Sequence, residues 1–388
     1  MISTATPPGR LVNLAQARAQ FGDRADRLAP FLVEGDAVGD AAAGSLAHHA
    51  HAERDRLLTG MLAGREDGLP EPLRTLGAQV RHVPLWVDFD RVERGGRAML
   101  RTGVFGGFVL AFRSLVLGYC APAGNKPLAF SGRLKEHANR RVAETGRFVQ
   151  AVCLPGGLRA GGAGLSTAVR VRLMHAQVRR TLRKSARWNA AAWGTPICQL
   201  DMAATTLLFS QVVIEGVAKL GVPLTPREAE DLLHLWRYVG YLLGVQEELL
   251  CATVAEADAL ASLIWCTQGP PDEDSRALAR ALMEIPLTEA KPKDRARAER
   301  FVPVAYGISR FLIGDALADG LGFPRSPWRH AAPAVTALLS GAQGLLRRVP
   351  GSERLFLEAG LGYWRRVLAL KLDGEEATFQ MPDRVPFA

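Results

Sequence analysis

Between Glu144 and Asp201 the chain has no acidic residue, and this is one of several absences that narrow what it can be. Aromatic residues are few, at 7 %, and do not interleave with basic ones, so a base-stacking nucleic-acid surface is not expected. Alternating valine-rich runs are nearly absent, which argues against sheets. None of the five cysteines, Cys120, Cys153, Cys198, Cys251 and Cys266, forms a CxxC pair, which excludes a zinc ribbon or a dithiol redox motif. Each lies among apolar residues, as free thiols of a reducing compartment do. The first residues, MISTATPPGRLVNLAQ, lack a basic stretch followed by an apolar core, and the expectation is a cytoplasmic protein without a leader. The most apolar run, Gly103–Tyr119, is slightly short for a span of roughly 20 residues and carries Arg113 near its middle. A buried helix is expected there, and no transmembrane segment.

What is present suits a globular helical protein. Of 388 residues, 48 % are hydrophobic and 22 % charged, with Ala, Leu, Arg and Gly abundant. The net charge is +9, and the acid-free stretch Thr145–Leu200 alone holds nine Lys or Arg. Either something anionic is bound there, or acidic segments from elsewhere balance it.

Residues 1–100 read as helical pieces joined by turns, a flanking extension of the core. The tract His48–His51 is expected to be exposed rather than a metal site. From Gly103 the chain becomes a series of long apolar helices. One runs from Arg133 to Leu154 and ends at the glycine-rich Pro155–Gly164, which follows no strand and is expected to be a flexible connection. Ser166 is expected to cap a helix reaching Arg187, and Asp201 to cap one continuing to Leu220. Thr225, Pro226 and Glu228 spell a capping box with proline in the first helical position. Ala290–Arg300 is expected to be a solvated linker and the last eight residues a loose tail. The fold expected is all-α: a single helical core domain, with 101–255 as the core and 256–388 as its C-terminal helical part.

Two helices carry the chemistry. In RVRLMHAQVRR, a period of 3.6 lines up Ala168, Val171, His175, Val178 and Leu182, so the imidazole points where the apolar side chains point. By itself this helix argues for a core histidine satisfied by a carbonyl or hydroxyl. The preceding helix turns Leu134, Ala138, Arg141, Thr145, Phe148 and Val152 inward, with Glu144 beside Thr145. A buried arginine is costly unless paired. Arg141 either pairs with Glu144 at i, i+3, or reaches the helix surface, or belongs to a polar patch facing His175 across a cavity. The intervening loop would return the helices antiparallel, a geometry able to sandwich a flat ligand.

RRVAETGRFV, GGLRAGGAG, AVRVRLMHAQVRR, WGTPICQLDMAATTLLFS and WRYVGYLLGV, in that order, resemble the domain shared by rubber oxygenases (latex clearing proteins) and the fungal oxygenase that cleaves a prenyl chain in mycophenolic acid biosynthesis. The resemblance covers Gly103–Leu250. It implies an all-helical protein holding haem b in a globin-like sandwich, and an oxygenase that oxidises or cleaves a lipophilic unsaturated, isoprenoid-like small molecule with O2. By position it implies that His175 is the axial iron ligand and that Arg141 and Thr145 belong to the distal motif. Where rubber oxygenases place a lysine in that motif, this chain has Glu144. The glutamate assigned as their base has no counterpart in APAGNKPLAF.

Haem propionates would suit the arginine-rich stretch, with Arg172 and Arg179 as the nearest partners of His175. Arg141 could stabilise negative charge, Thr145 donate a hydrogen bond and Glu144 move a proton. The alternative is a non-catalytic helical carrier or sensor holding haem or an apolar ligand.

Overall fold

The computed structural model describes residues 7–130, 138–328 and 351–368, with scattered positions between 330 and 349. The described elements are helical and include no strand. Short helices come first: α1 (Leu14–Phe21), α2 (Leu28–Val33), α3 (Ala37–Leu46), α4 (His51–Leu62) and α5 (Glu71–Arg81). The central helix α6 (Phe89–Val109) runs through a π-helical turn, Leu110–Ser114, into α7 (Leu115–Tyr119) and then α8 (Pro122–Phe130). The hairpin α9 (Ala138–Cys153) and α10 (Ala163–Arg183) follows, then α11 (Ala190–Trp193), α12 (Gln199–Phe209), α13 (Gln211–Lys219) and α14 (Pro226–Leu242). The chain closes with α15 (Val254–Cys266), α16 (Glu273–Thr288), α17 (Arg295–Ile313), α18 (Asp315–Gly320) and α19 (Ser352–Leu368).

Packing centres on α6, which α14 and α19 cover along its length. Its apolar residues join those of α10, α12 and α14 in one large core that includes Met99, Leu173, Leu235 and Trp236. A second apolar cluster joins α7 to α16 and α17 around Val116, Met283 and Leu312. Gly103 breaks α6 with φ 53° and ψ −126°, a conformation that side chains oppose, and Gly360 of α19 packs against the break. The segments Phe89–Tyr119 and Gln199–Lys219 are long and apolar enough to cross a membrane by length and composition, yet 56 % of the apolar 18-residue window in each is buried within the protein. Arg113 is buried and donates to the carbonyl of Leu312 and to the carboxylate of Glu215, which is itself exposed.

Several local expectations meet corrections. Thr225 and Glu228 do exchange the two hydrogen bonds of a capping box, with Pro226 at the first helical position. Ser166 is not a cap: the helix starts at Ala163 with Gly162 as its N-cap, and Ser166 N–H donates to Gly162 O at 3.1 Å. That helix ends at Arg183 rather than Arg187. Asp201 lies one turn inside α12, where its carboxylate accepts from the N-cap Cys198 N–H at 3.4 Å. The helix expected to reach Leu220 breaks at Ser210, whose φ −112° and ψ −88° are not helical. Most of Ala290–Arg300 is ordered, with a 3-10 turn at Pro292–Asp294 and α17 from Arg295. His48 and His51 are exposed, with His51 opening α4. The expected tail lies outside the described residues.

The glycine-rich loop is a compact turn, not a flexible one. Gly157 N–H donates to Leu154 O and Leu165 N–H to Gly157 O, both at 2.9 Å. A Cβ on Gly164 would lie 2.6 Å from Ala151 O and 2.8 Å from Val152 Cα, and one on Gly157 or Gly162 would meet backbone oxygens more closely still. Here glycine is required by the close approach of two backbones.

Candidate functional site

That turn sets the register of the hairpin. Ala151 meets Gly164; ten residues back along α9 is Arg141, and eleven on along α10 is His175. At 1.5 Å per residue both lie about 15 Å from the turn, at the same level. Along α9 the buried residues are Phe148, Val149, Val152 and Cys153, whereas Arg141, Glu144 and Thr145 are only half-buried. The facing stripe of α10 behaves alike: Ala168 and Leu182 are buried, but Val171, His175 and Val178 between them are half-covered. Leu134 lies outside the described residues.

His175 has an enclosed Nδ1 with no hydrogen-bond partner among the described residues. Its surroundings push its pKa down to about 4, chiefly through burial and then through the positive charge of Arg179, with Asp36 opposing. The ring is therefore neutral at pH 7. A satisfied core histidine would have found a carbonyl or hydroxyl, and this one has not.

The two arginines flanking it are already occupied. Arg172, 2 % exposed, grips Asp36 through Nε at 2.6 Å and Nη2 at 2.8 Å, and also reaches Gln79 Oε1 at 2.8 Å. Arg179 is fully buried, pairs with Asp40 at 2.5 Å and donates to the carbonyl of Ile197 at 2.9 Å. Asp36 is the N-cap of α3 and Asp40 lies in its first turn, so one short helix neutralises both cations. Arg172 and Arg179, expected to receive propionates, have their guanidiniums engaged by carboxylates of the chain itself. Other basic residues of the acid-free stretch are paired too, Arg159 with Glu93, Arg170 with Asp55 and Arg183 with Asp40. The balance comes from acidic segments elsewhere.

Glu144 does not pair with Arg141. Its carboxylate takes Arg140 Nε at 2.9 Å, one turn back on the outer side. Arg141 is left without an ion pair or hydrogen bond to any described residue, and it lines a cavity of 210 Å³. Leu115 and Leu117 of α7, Leu128 of α8, Leu207 and Leu208 of α12 and Ile264 of α15 give this cavity apolar walls. His175, Glu144 and Thr145 are not among its lining residues, so the structure joins only Arg141 to it.

Sequence reasoning missed Arg10 and the use made of Asp201. Arg10 reaches the cavity from the N-terminal segment and holds Asp201 by two bonds, of 2.5 and 3.1 Å. Burial opposes its charge, but Asp201 outweighs burial and raises the Arg10 pKa above its usual value. Only the inward spacing of Leu200, Ala204 and Leu207 around Asp201 could have signalled this. A partner 191 residues away leaves no local trace.

Against known proteins, residues 97–347 match the family model described as "ER-bound oxygenase mpaB/B'/Rubber oxygenase, catalytic domain". The rubber oxygenase of Streptomyces sp. (strain K30) is 24 % identical over 320 residues, which span 81 % of this chain and 76 % of that protein. The solved structure of latex clearing protein LCP in the closed state shares the fold, with a TM-score of 0.69 at 22 % identity over 90 % of this chain and 94 % of that one. The matched segment runs from the middle of α6 through α18, and so contains the α9–α10 hairpin and the elements that wall the cavity. The chain belongs to the mpaB/rubber oxygenase catalytic-domain family and is an oxidoreductase.

Proposed function

We propose that the protein is a haem b-dependent oxygenase that oxidises or cleaves a lipophilic, unsaturated, isoprenoid-like small molecule with O2. The observation that carries this reading is His175: a neutral imidazole with an orphaned nitrogen, on a half-covered apolar stripe level with Arg141. Those residues fit a haem. An uncharged imidazole is the protonation state that ligates iron, and the half-covered faces of α9, polar through Arg141, Glu144 and Thr145, and of α10, apolar through Val171 and Val178, supply two sides for a flat ring.

His175 would hold the iron, and the haem when bound supplies the activation of O2. The chain's own groups do the rest. Arg141, with no carboxylate partner, sets positive charge at the wall that the cavity shares with α9. Thr145, one turn further on, offers a hydroxyl donor, and Glu144, held by Arg140, is a group of the same helix able to accept a proton. The cavity's leucines exclude water and orient an apolar chain.

The test is the absorption spectrum of the purified protein, oxidised and reduced. A Soret band near one haem per chain, lost in His175→Ala, is the expected result. Its absence after haem is supplied would overturn the reading.

A further inference from the structure

The described walls of the cavity hold more positive than negative charge. Among the described residues that line it are two guanidiniums, Arg10 and Arg141, and one carboxylate, Asp201, a net charge of +1. Asp201 is committed: both its oxygens serve Arg10, and one also takes the Cys198 N–H. Arg10 has a side chain 5 % exposed, and its Nε is enclosed without a partner even though both Nη atoms are satisfied. Arg141 has no partner among the described residues. Arg141 is half-buried beside apolar walls, and an anionic ligand would supply the charge-assisted partner that the described residues do not.

Size narrows the class. The cavity's 210 Å³ exceeds the ~150 Å³ apolar void that accepts benzene and falls below the ~300 Å³ at which drug-sized pockets begin. It suits one or two isoprene units, not a long polymer.

We infer that this cavity binds an amphipathic carboxylate: a short unsaturated chain lies between α7, α8, α12 and α15, and its carboxylate pairs with Arg141. The inference deepens the proposed function and rests on its reading of α9 as a wall of the reaction site. Asp201 keeps Arg10 in place and excludes a second anion. The selectivity follows from charge: a neutral alcohol or hydrocarbon of the same shape leaves Arg141 unpaired and the acid does not.

Geranate and geraniol share one ten-carbon prenyl chain and differ only in the head group, which makes them the probes. In calorimetric titrations of the purified protein, geranate is expected to bind at least about tenfold more tightly than geraniol. In Arg141→Gln that ratio falls to about one through loss of geranate affinity, and in Arg141→Lys a preference for the acid persists. Ala204→Phe, which fills the cavity from α12, abolishes binding of both probes and so separates the cavity from any surface site. Equal affinities in the native protein, a preference that survives Arg141→Gln, or no binding of either probe would each overturn the inference. The titration is independent of the Soret band. A protein without haem that still prefers geranate through Arg141 refutes the proposed function alone, and a haem protein indifferent to the head group refutes this inference alone.

Discussion

Arg172 and Asp36, 136 positions apart in sequence, meet in a buried two-bonded ion pair that ties α10 to the start of α3. Asp36 also accepts from Gly39 N–H at 3.0 Å, so one carboxylate both caps a helix and neutralises a buried cation. Asp36→Asn keeps a cap but strands the guanidinium, and is expected to cost about 3–5 kcal/mol. Adding Arg172→Met removes the stranded charge and should recover much of the loss. Urea denaturation with an unchanged slope measures both, and a loss under about 1 kcal/mol in the single variant would show that the pair is dispensable.

His175→Ala is expected to abolish the Soret band while leaving the far-ultraviolet helix signal intact, because the side chain makes no hydrogen bond through Nδ1 for the fold to lose. Free imidazole added to the variant should restore part of the band by entering the space vacated. Full haem retention in the variant, with or without imidazole, would remove the ligand assignment.

His234, 2 % exposed, accepts the Asp88 N–H through Nε2 at 3.0 Å, so protonation would break that bond. Burial first, then Arg91 and Arg237, push its pKa down to about 4, against about 6.5 in the unfolded chain. Between these values the unfolded chain binds more protons than the folded one. The contribution of His234 is therefore complete above pH 6.5 and lost as pH falls towards 4, by about 3 kcal/mol at most. His234→Gln should flatten the melting temperature across that window. An equally steep acid limb in the variant would assign the effect elsewhere.

Thr225→Ala removes a working N-cap and is expected to cost about 1 kcal/mol. Ser166→Ala, at the position the sequence singled out for the same role, should change stability by less than about 0.5 kcal/mol, since Gly162 is the cap. Chemical denaturation of the two single variants distinguishes these positions directly.

Gly164→Ala is expected to destabilise by about 1–3 kcal/mol, as overpacking does, because its Cβ would strike the backbone of Ala151 and Val152. Gly161→Ala, with open space around it but φ 78°, should cost about 1 kcal/mol from conformation alone. Thermal melts rank the pair, and the reverse order would mean that the turn yields where its contacts are closest.

The legible parts of this chain are local ones. The capping box at Thr225 is written within four residues and follows from spacing, whereas of the stripe through His175 only Ala168 and Leu182 are fully buried. What eluded the sequence depends on distant partners. Arg172 and Arg179 read as free cations because the helix around them has no acid, and their carboxylates arrive from α3. Arg10 carries no signal in the sequence because Asp201 lies far along the chain. The loop Pro155–Gly164 looked flexible from composition, since nothing in a run of glycines reveals that two backbones converge on it. The pairing of Glu144 with Arg140 rather than Arg141 turned on one residue's difference in helical phase.

The burial of α9 grades along its length. Its described buried residues fall in the last six positions, where Phe148 packs edge-on against Trp236 and Cys153 meets α6 at Gly96. From Ala138 to Arg147 no side chain is fully buried, although Val142 packs against the second apolar cluster. A helix seated most deeply at one end yields first at the other. Parting α9 from α10 near Arg141 for a planar guest therefore costs fewer buried contacts than parting them near Phe148.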